Sequence, residues 1–152
     1  DLAHPLGALL RRVARQARAA TPEGISSLNC DLVVPVPLHP RRLAERGYNQ
    51  AALLARQVRP ELGAPLRPTM IRRVIDTPAQ ARLSKQARAQ NLRGAFVVAR
   101  PERVRHQRVI LVDDIATTGA TLAACATALH DAGAASVSAL VVALADRRSD
   151  DK

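Results

Sequence analysis

The stretch Val-Ile-Leu-Val-Asp-Asp-Ile-Ala-Thr-Thr-Gly-Ala-Thr-Leu at residues 109–122 constrains this chain more than any other feature. Its four consecutive aliphatic residues, preceded by Arg108, read as a strand buried on both faces, the pattern of a parallel sheet. Two adjacent carboxylates, Asp113 and Asp114, stand at its C-terminal end. Small and hydroxylated residues follow, and Thr118 and Gly119 turn the chain. Residues 121–131 have helical composition, with Gly133 in the position that closes a helix. Residues 136–145 form another strongly apolar strand. Strand, helix and strand in this order make a right-handed crossover. The expected fold class is therefore α/β, an open, mainly parallel, twisted sheet flanked by helices. Ligands of such sheets bind beyond the carboxyl ends of the strands, where the acidic pair lies.

The residues of that end point to a particular ligand. The backbone N–H groups of residues 116–120 lie at or just before the helix start, where no helical carbonyl is available to them, so they can bind an anion. Thr117, Thr118 and Thr121 add hydroxyl donors, and Gly119 admits a positive φ and the close approach of a ligand. Ala116, Thr117, Thr118, Gly119, Ala120 and Thr121 thus make a candidate phosphate cradle. Asp113 and Asp114 repel a phosphate and are instead suited to accept hydrogen bonds from vicinal hydroxyls. Phosphate plus a diol describes a ribose 5-phosphate. Two rival phosphate motifs are absent: no lysine follows Gly119, as a P-loop requires, and there is no GxGxxG. A strand that merely ends at an aspartate helix cap accounts for one carboxylate, but not for the pair with three threonines and a glycine.

The remaining chain frames this site. A length of 152 residues suits one α/β domain, and 47% apolar residues allow a core. Leu6, Leu9, Leu10, Val13 and Ala17 fall at helical spacing, with Arg11, Arg15 and Arg18 on another face. Residues 5–20 are read as an amphipathic helix with a basic outer side. A strand starting at Asp31 is expected to end near Val34, because prolines stop sheet pairing. Pro40 opens a short helical turn that Gly47 ends, and Asn49 caps a helix over 50–59. Residues 66–75 read as a weak strand, 76–91 as a long polar loop, and 95–98 as a short strand. Cys30 and Cys125 are far apart and form no CxxC, so both are expected to be small buried residues rather than zinc ligands. No apolar run approaches the ~20 residues of a membrane span. A cytoplasmic setting without membrane insertion is expected. The net charge of +10 comes almost wholly from arginine. That excess suits an anionic ligand, nucleic acid or an acidic partner, and equally arises from codon bias.

Residues 109–122 resemble the signature with which type I phosphoribosyltransferases bind phosphoribosyl pyrophosphate (PRPP). Pro-Val-Pro-Leu-His-Pro-Arg at 35–41 and Arg-Gly-Tyr-Asn-Gln at 46–50 look like the ComF/GntX family, linked to DNA uptake in competence. So does the pattern of Thr77-Pro-Ala-Gln80, Leu83, Arg88, Asn91 and Gly-Ala-Phe at 94–96. This resemblance spans about residues 30–145. It implies a pyrophosphate-binding loop at 36–42 with Arg41 and Arg42 as the contacts. His39 is left open between ligand and turn residue. It also implies a flexible hood at 76–91 from which Gln80, Lys85 and Arg88 reach the ligand, and Mg²⁺ arriving with PRPP rather than in a protein cage. Asp113 and Asp114 would steady the diol as catalytic carboxylates. Purine-salvage members of the wider superfamily carry a general-base aspartate where this chain has Thr117, which disfavours a hypoxanthine- or guanine-type reaction. The family usually begins with a four-cysteine zinc-binding segment. This chain has none and does not start with Met, so a missing leading segment is expected.

Two functions follow from the resemblance. One is a PRPP-dependent transferase associated with DNA uptake, its acceptor undefined. The other is a non-catalytic nucleotide- or single-stranded-DNA-binding adaptor that meets a helicase-like partner. The shortage of aromatics, only Tyr48 and Phe96, argues against base stacking as the adaptor's means of binding.

Overall fold

Val109, Ile110, Leu111 and Val112 are each at most 2% exposed, and the other elements are arranged around them. The structure, a computed structural model, describes residues 3–19, 28–76, 87, 90, 92–116 and 118–144. In chain order the elements are α1 (Ala3–Ala19), β1 (Leu32–Pro35), α2 (Pro40–Arg46), α3 (Gln50–Leu62), β2 (Ile71–Arg73) and β3 (Phe96–Val98). A 3₁₀ turn (Pro101–Arg103), β4 (Arg108–Ala116), α4 (Ala120–Asp131) and β5 (Ser136–Leu144) complete them. β4 lies between β1 and β5, parallel to both. Alternation along β4 sends Val109 and Leu111 to one face and Ile110 and Val112 to the other. The first pair packs with Cys125 and Leu129 of α4 and with Ile71 and Phe96. The second packs with Leu10 and Ala14 of α1 and with Leu54, Ala55 and Val58 of α3. The parallel sheet covered on both sides is the architecture expected of the crossover pattern.

Several boundaries differ from expectation. β4 does not stop at Asp113 but runs through both carboxylates to Ala116, which pairs with Leu144. The expected strand over 66–75 is split. Leu66 bridges Val33 on the outer edge of β1, whereas Ile71–Arg73 pairs antiparallel with β3. Pro68 lies between the two parts and has no N–H to carry a ladder across. α3 continues past Pro60 because Leu62, 6% exposed, anchors its last turn, and Gly63 at φ 66° closes it.

α1 corrects the sequence reading more substantially. Its buried stripe is Gly7, Leu10 and Ala14, while Leu9 and Val13 are 47% and 41% exposed. Arg15 on the arginine face is exposed, as expected, but the face also borders α3. Arg11 Nη1 donates to Gln57 Oε1 at 3.4 Å and Arg15 pairs with Glu61, both on α3. Gly7 sits so close to α3 that a Cβ there would overlap the Gln57 side chain. Small residues let the two helices approach, and their large apolar neighbours are left outside. Among the described residues no helix is long and apolar enough to cross a membrane.

The N-terminal ends of β1 and β4 are tied by a fork. Arg108 donates from Nε and Nη2 to the two Asp31 oxygens at 3.0 and 2.9 Å, and the Arg108 N–H donates to Asp31 Oδ2 at 2.8 Å. These bonds hold the Asp31 carboxyl down at about 2. The pair is partly exposed, so Asp31→Ala is expected to cost only about 1 kcal/mol, measured by urea unfolding at pH 7. Because the folded pKa is lowered, that contribution is present above about pH 4 and fades as the pH falls toward 2. An equal cost at pH 7 and pH 2 would contradict this origin.

Candidate functional site

The alternation that buries Val109 and Leu111 places Asp113 on the same face, above Cys125 of α4. Burial, reinforced by the Asp114 side chain next to it, pushes the Asp113 carboxyl up to about 7, although the Asp114 N–H partly offsets the rise. That N–H donates to Asp113 Oδ1 at 2.9 Å. Asp114 Oδ1 in turn accepts from the Ile115 N–H at 2.9 Å. The local bonds fix one oxygen of each carboxylate. Cys125 feels the same environment: burial and then Asp113 push its thiol up to about 12, so it stays protonated.

Beyond β4 the chain turns into α4. Gly119 is the N-cap at φ 72°, a left-handed conformation that a β-carbon disfavours, and it supplies no capping side chain. The amides of the first turn of this 12-residue helix therefore point outward with the positive end of the helix dipole. Thr118 Oγ1 accepts from the Ala120 N–H at 3.4 Å, a long bond that a charged ligand would readily replace. Ala116, assigned to the cradle from sequence, is instead the last strand residue and is buried. Of the residues expected in the cradle, Thr118, Gly119, Ala120 and Thr121 stand at the start of α4. Thr117 lies outside the described residues, as do Gln80, Lys85 and Arg88 of the expected hood.

Asp113, Asp114 and Thr121 line one cleft. Its far wall comes from Pro37, Leu38, Arg46 and Asn49. Asn49 caps α3, with Oδ1 accepting the Ala51 N–H at 3.0 Å, and its Nδ2 donates to Val36 O at 3.0 Å. It thereby pins the loop after β1 across from the acidic pair. Tyr48 is 48% exposed and packs little. The expected pyrophosphate contacts are on a helix rather than a loop: Arg41 and Arg42 lie in the first turn of α2, which Pro40 opens and His39 caps by accepting the Arg41 N–H at Nδ1. They line an adjoining cleft with Arg46 and Asp76, and Leu38 and Arg46 border both clefts.

Arg73 was missed from sequence. Its side chain reaches the cleft of Asp113, with its guanidinium 5.7 Å from the Phe96 ring centroid and Nε donating to Ile75 O at 3.3 Å. Burial, and then the charge of Arg42, lower its pKa from the ordinary value. The strand period carries half of the signal; the other half, which face of β2 is inward, comes only with the fold. Ile71 is an inward residue of β2, and the residue two further on shares its face. An arginine on a buried face is an unusual placement that calls for an anion nearby.

Known proteins resemble this chain in sequence and fold. The chain matches the phosphoribosyl transferase domain over residues 43–152. It is 43% identical over 93 residues to competence protein F of Haemophilus influenzae, covering 60% of this chain and 41% of that protein. It is 36% identical over 137 residues to the DNA utilization protein YhgH of Salmonella typhi, covering 90% of this chain and 58% of that protein. The chain thus spans about half the length of these relatives. Among solved structures it resembles the glutamine phosphoribosylpyrophosphate amidotransferase of B. subtilis, complexed with ADP and GMP. That likeness has a TM-score of 0.56 at 19% identity, over 94% of this chain and 27% of that one, and bears on the fold. The chain therefore belongs to the phosphoribosyl transferase domain family, has the α/β fold of its type I members, and stands among them with the ComF-type proteins.

Proposed function

We propose that the cleft at the carboxyl end of β4 binds PRPP, and that the chain serves, in the cytoplasm, a phosphoribosyltransferase-type step associated with DNA uptake. The observation that carries this reading is the meeting of the Asp113–Asp114 pair and the Gly119-capped start of α4 on one cleft. The α4 amides and the hydroxyls of Thr118 and Thr121 would hold the 5-phosphate. Asp113 and Asp114 would accept the ribose hydroxyls and offset positive charge developing on the ring. Arg41 and Arg42 would take the pyrophosphate, and Arg73 lines the cleft of Asp113. The oxygen-rich donor set suits a hard cation. Among the described residues no group of three or more acidic, histidine or cysteine side chains gathers to hold one. Asp113 and Asp114 would hold Mg²⁺ together with oxygens of PRPP. When bound, the cation would supply charge neutralisation for the leaving pyrophosphate.

Calorimetry with PRPP and Mg²⁺ tests this. The intact protein is expected to bind, and Asp113→Asn/Asp114→Asn to weaken binding at least about 100-fold, since charge-assisted hydrogen bonds contribute roughly 1.5–3 kcal/mol each. No binding by the intact protein would sink the reading. The net charge of +10 favours a second reading, an adaptor that holds single-stranded DNA through its backbone. Salt-dependent binding of single strands that survives the double substitution would support it.

A further inference from the structure

Asp76 lies where the basic groups of α2 converge, in the cleft proposed for pyrophosphate. Its oxygens are 3.7 Å from Arg42 Nε, 3.8 Å from Arg41 Nη1 and 3.9 Å from His39 Nδ1. These separations exceed hydrogen-bond length, in contrast to the 2.8–3.0 Å fork between Asp31 and Arg108. His39 Nδ1 already accepts the Arg41 N–H at 3.3 Å. Arg41 also divides its charge with Glu45, 3.2 Å away. The carboxylate is thus a loosely seated counter-anion, near enough to neutralise the two guanidiniums and too far to be locked by them. A carboxylate and a phosphate present the same oxygen pair to an arginine fork and compete for it.

We propose that Asp76 is a built-in competitor for the anion that Arg41 and Arg42 bind: its carboxylate neutralises them in the free protein, and a pyrophosphate group binds there by displacing it. The inference rests on the pyrophosphate reading of this cleft. It makes Asp76 a specificity-determining residue, because a ligand has to out-compete a resident carboxylate, which a multiply charged anion does and a singly charged one does poorly. The apparent affinity is reduced to the extent that Asp76 occupies the arginines.

The test is calorimetry with inorganic pyrophosphate, and separately with ribose 5-phosphate, on the full chain and on Asp76→Asn and Asp76→Ala. Both variants are expected to bind pyrophosphate about 5- to 10-fold more tightly, the scale of two exposed ion pairs released. Ribose 5-phosphate binding is expected to stay within about twofold, because that ligand occupies the neighbouring cleft. In an Arg41→Ala/Arg42→Ala background the gain should vanish, since a double-mutant cycle isolates the pairwise effect. Unchanged or weaker pyrophosphate binding in both variants overturns the proposal, as does a gain that persists without the arginines. If no form binds pyrophosphate the proposal fails, while ribose 5-phosphate binding then decides whether the phosphate half of the functional reading survives.

Discussion

Asp113→Asn is expected to melt about 5 °C higher than the wild-type chain at pH 8 and at nearly the same temperature at pH 4, both without ligand. The Asp113 carboxyl is pushed from an ordinary 3.8 to about 7, first by burial above α4 and then by Asp114. A raised acid binds its proton more tightly in the folded state, so ionisation opposes folding. Below about pH 4 both states are protonated and the residue costs nothing. Between about 4 and 7 the unfolded chain ionises first, and the folded state loses stability as the pH rises. Above about 7 the cost is constant. The full shift corresponds to roughly 4 kcal/mol as a ceiling. Partial exposure and the charge shared with Asp114 reduce the expected value to about 2 kcal/mol, which a domain of this size registers as about 5 °C. The tie between Asp31 and Arg108 is present in both proteins and cancels in the difference. A variant that melts lower than wild type at pH 8, or a difference that does not change with pH, would refute this account. Stability gained by removing a site carboxylate, with PRPP binding lost, is the exchange expected where function requires a strained charge.

Much of this site was legible because its parts are local in sequence. Strand β4, the acidic pair, the glycine turn and α4 follow one another, so period and composition were enough to assign them. The parallel order followed from the crossover, and Gly133 closes α4 as expected, at φ 92° with its N–H donating to His130 O at 2.8 Å. What was not legible depends on partners distant in sequence. Of the apolar face read for α1, Leu10 is buried as expected, but Leu9 and Val13 are not, because the contact with α3 is built on Gly7, Leu10 and Ala14 and close approach favours small residues. Whether Arg73 points inward depends on the register of β2 with β3, which no pattern in three residues reveals. Asp76 was read as the start of a loop, and only folding sets it against α2, far back in the chain. The extension of β4 through Asp114 and Ile115 was hidden because carboxylates discourage a strand assignment, yet pairing with β5 continues to Ala116.

Gly119→Val is expected to abolish ribose 5-phosphate binding, by at least about 100-fold, while costing only about 2 kcal/mol of stability. The two effects separate because of where the glycine sits. A β-carbon at Gly119 meets nothing within 4 Å, so no steric clash with the fold opposes the substitution. The penalty is conformational: φ is 72°, and a left-handed backbone costs an L-residue roughly 1–2 kcal/mol, with branched side chains at the upper end. If the chain relieves that strain by rotating φ, the amides of Gly119, Ala120 and Thr121 lose their common aim. Each such charge-assisted bond contributes roughly 1.5–3 kcal/mol, so losing two accounts for the expected fall in affinity. If the chain retains φ, the isopropyl group projects into the space the phosphate would enter. Gly119→Asn distinguishes the two routes, since asparagine tolerates the left-handed region better than valine. Recovery of most of the stability without binding would place the fault in the occupied space, and recovery of both would place it in the backbone. Undiminished binding by the valine variant, measured by calorimetry alongside its melting curve, would mean that the start of α4 is not the phosphate site.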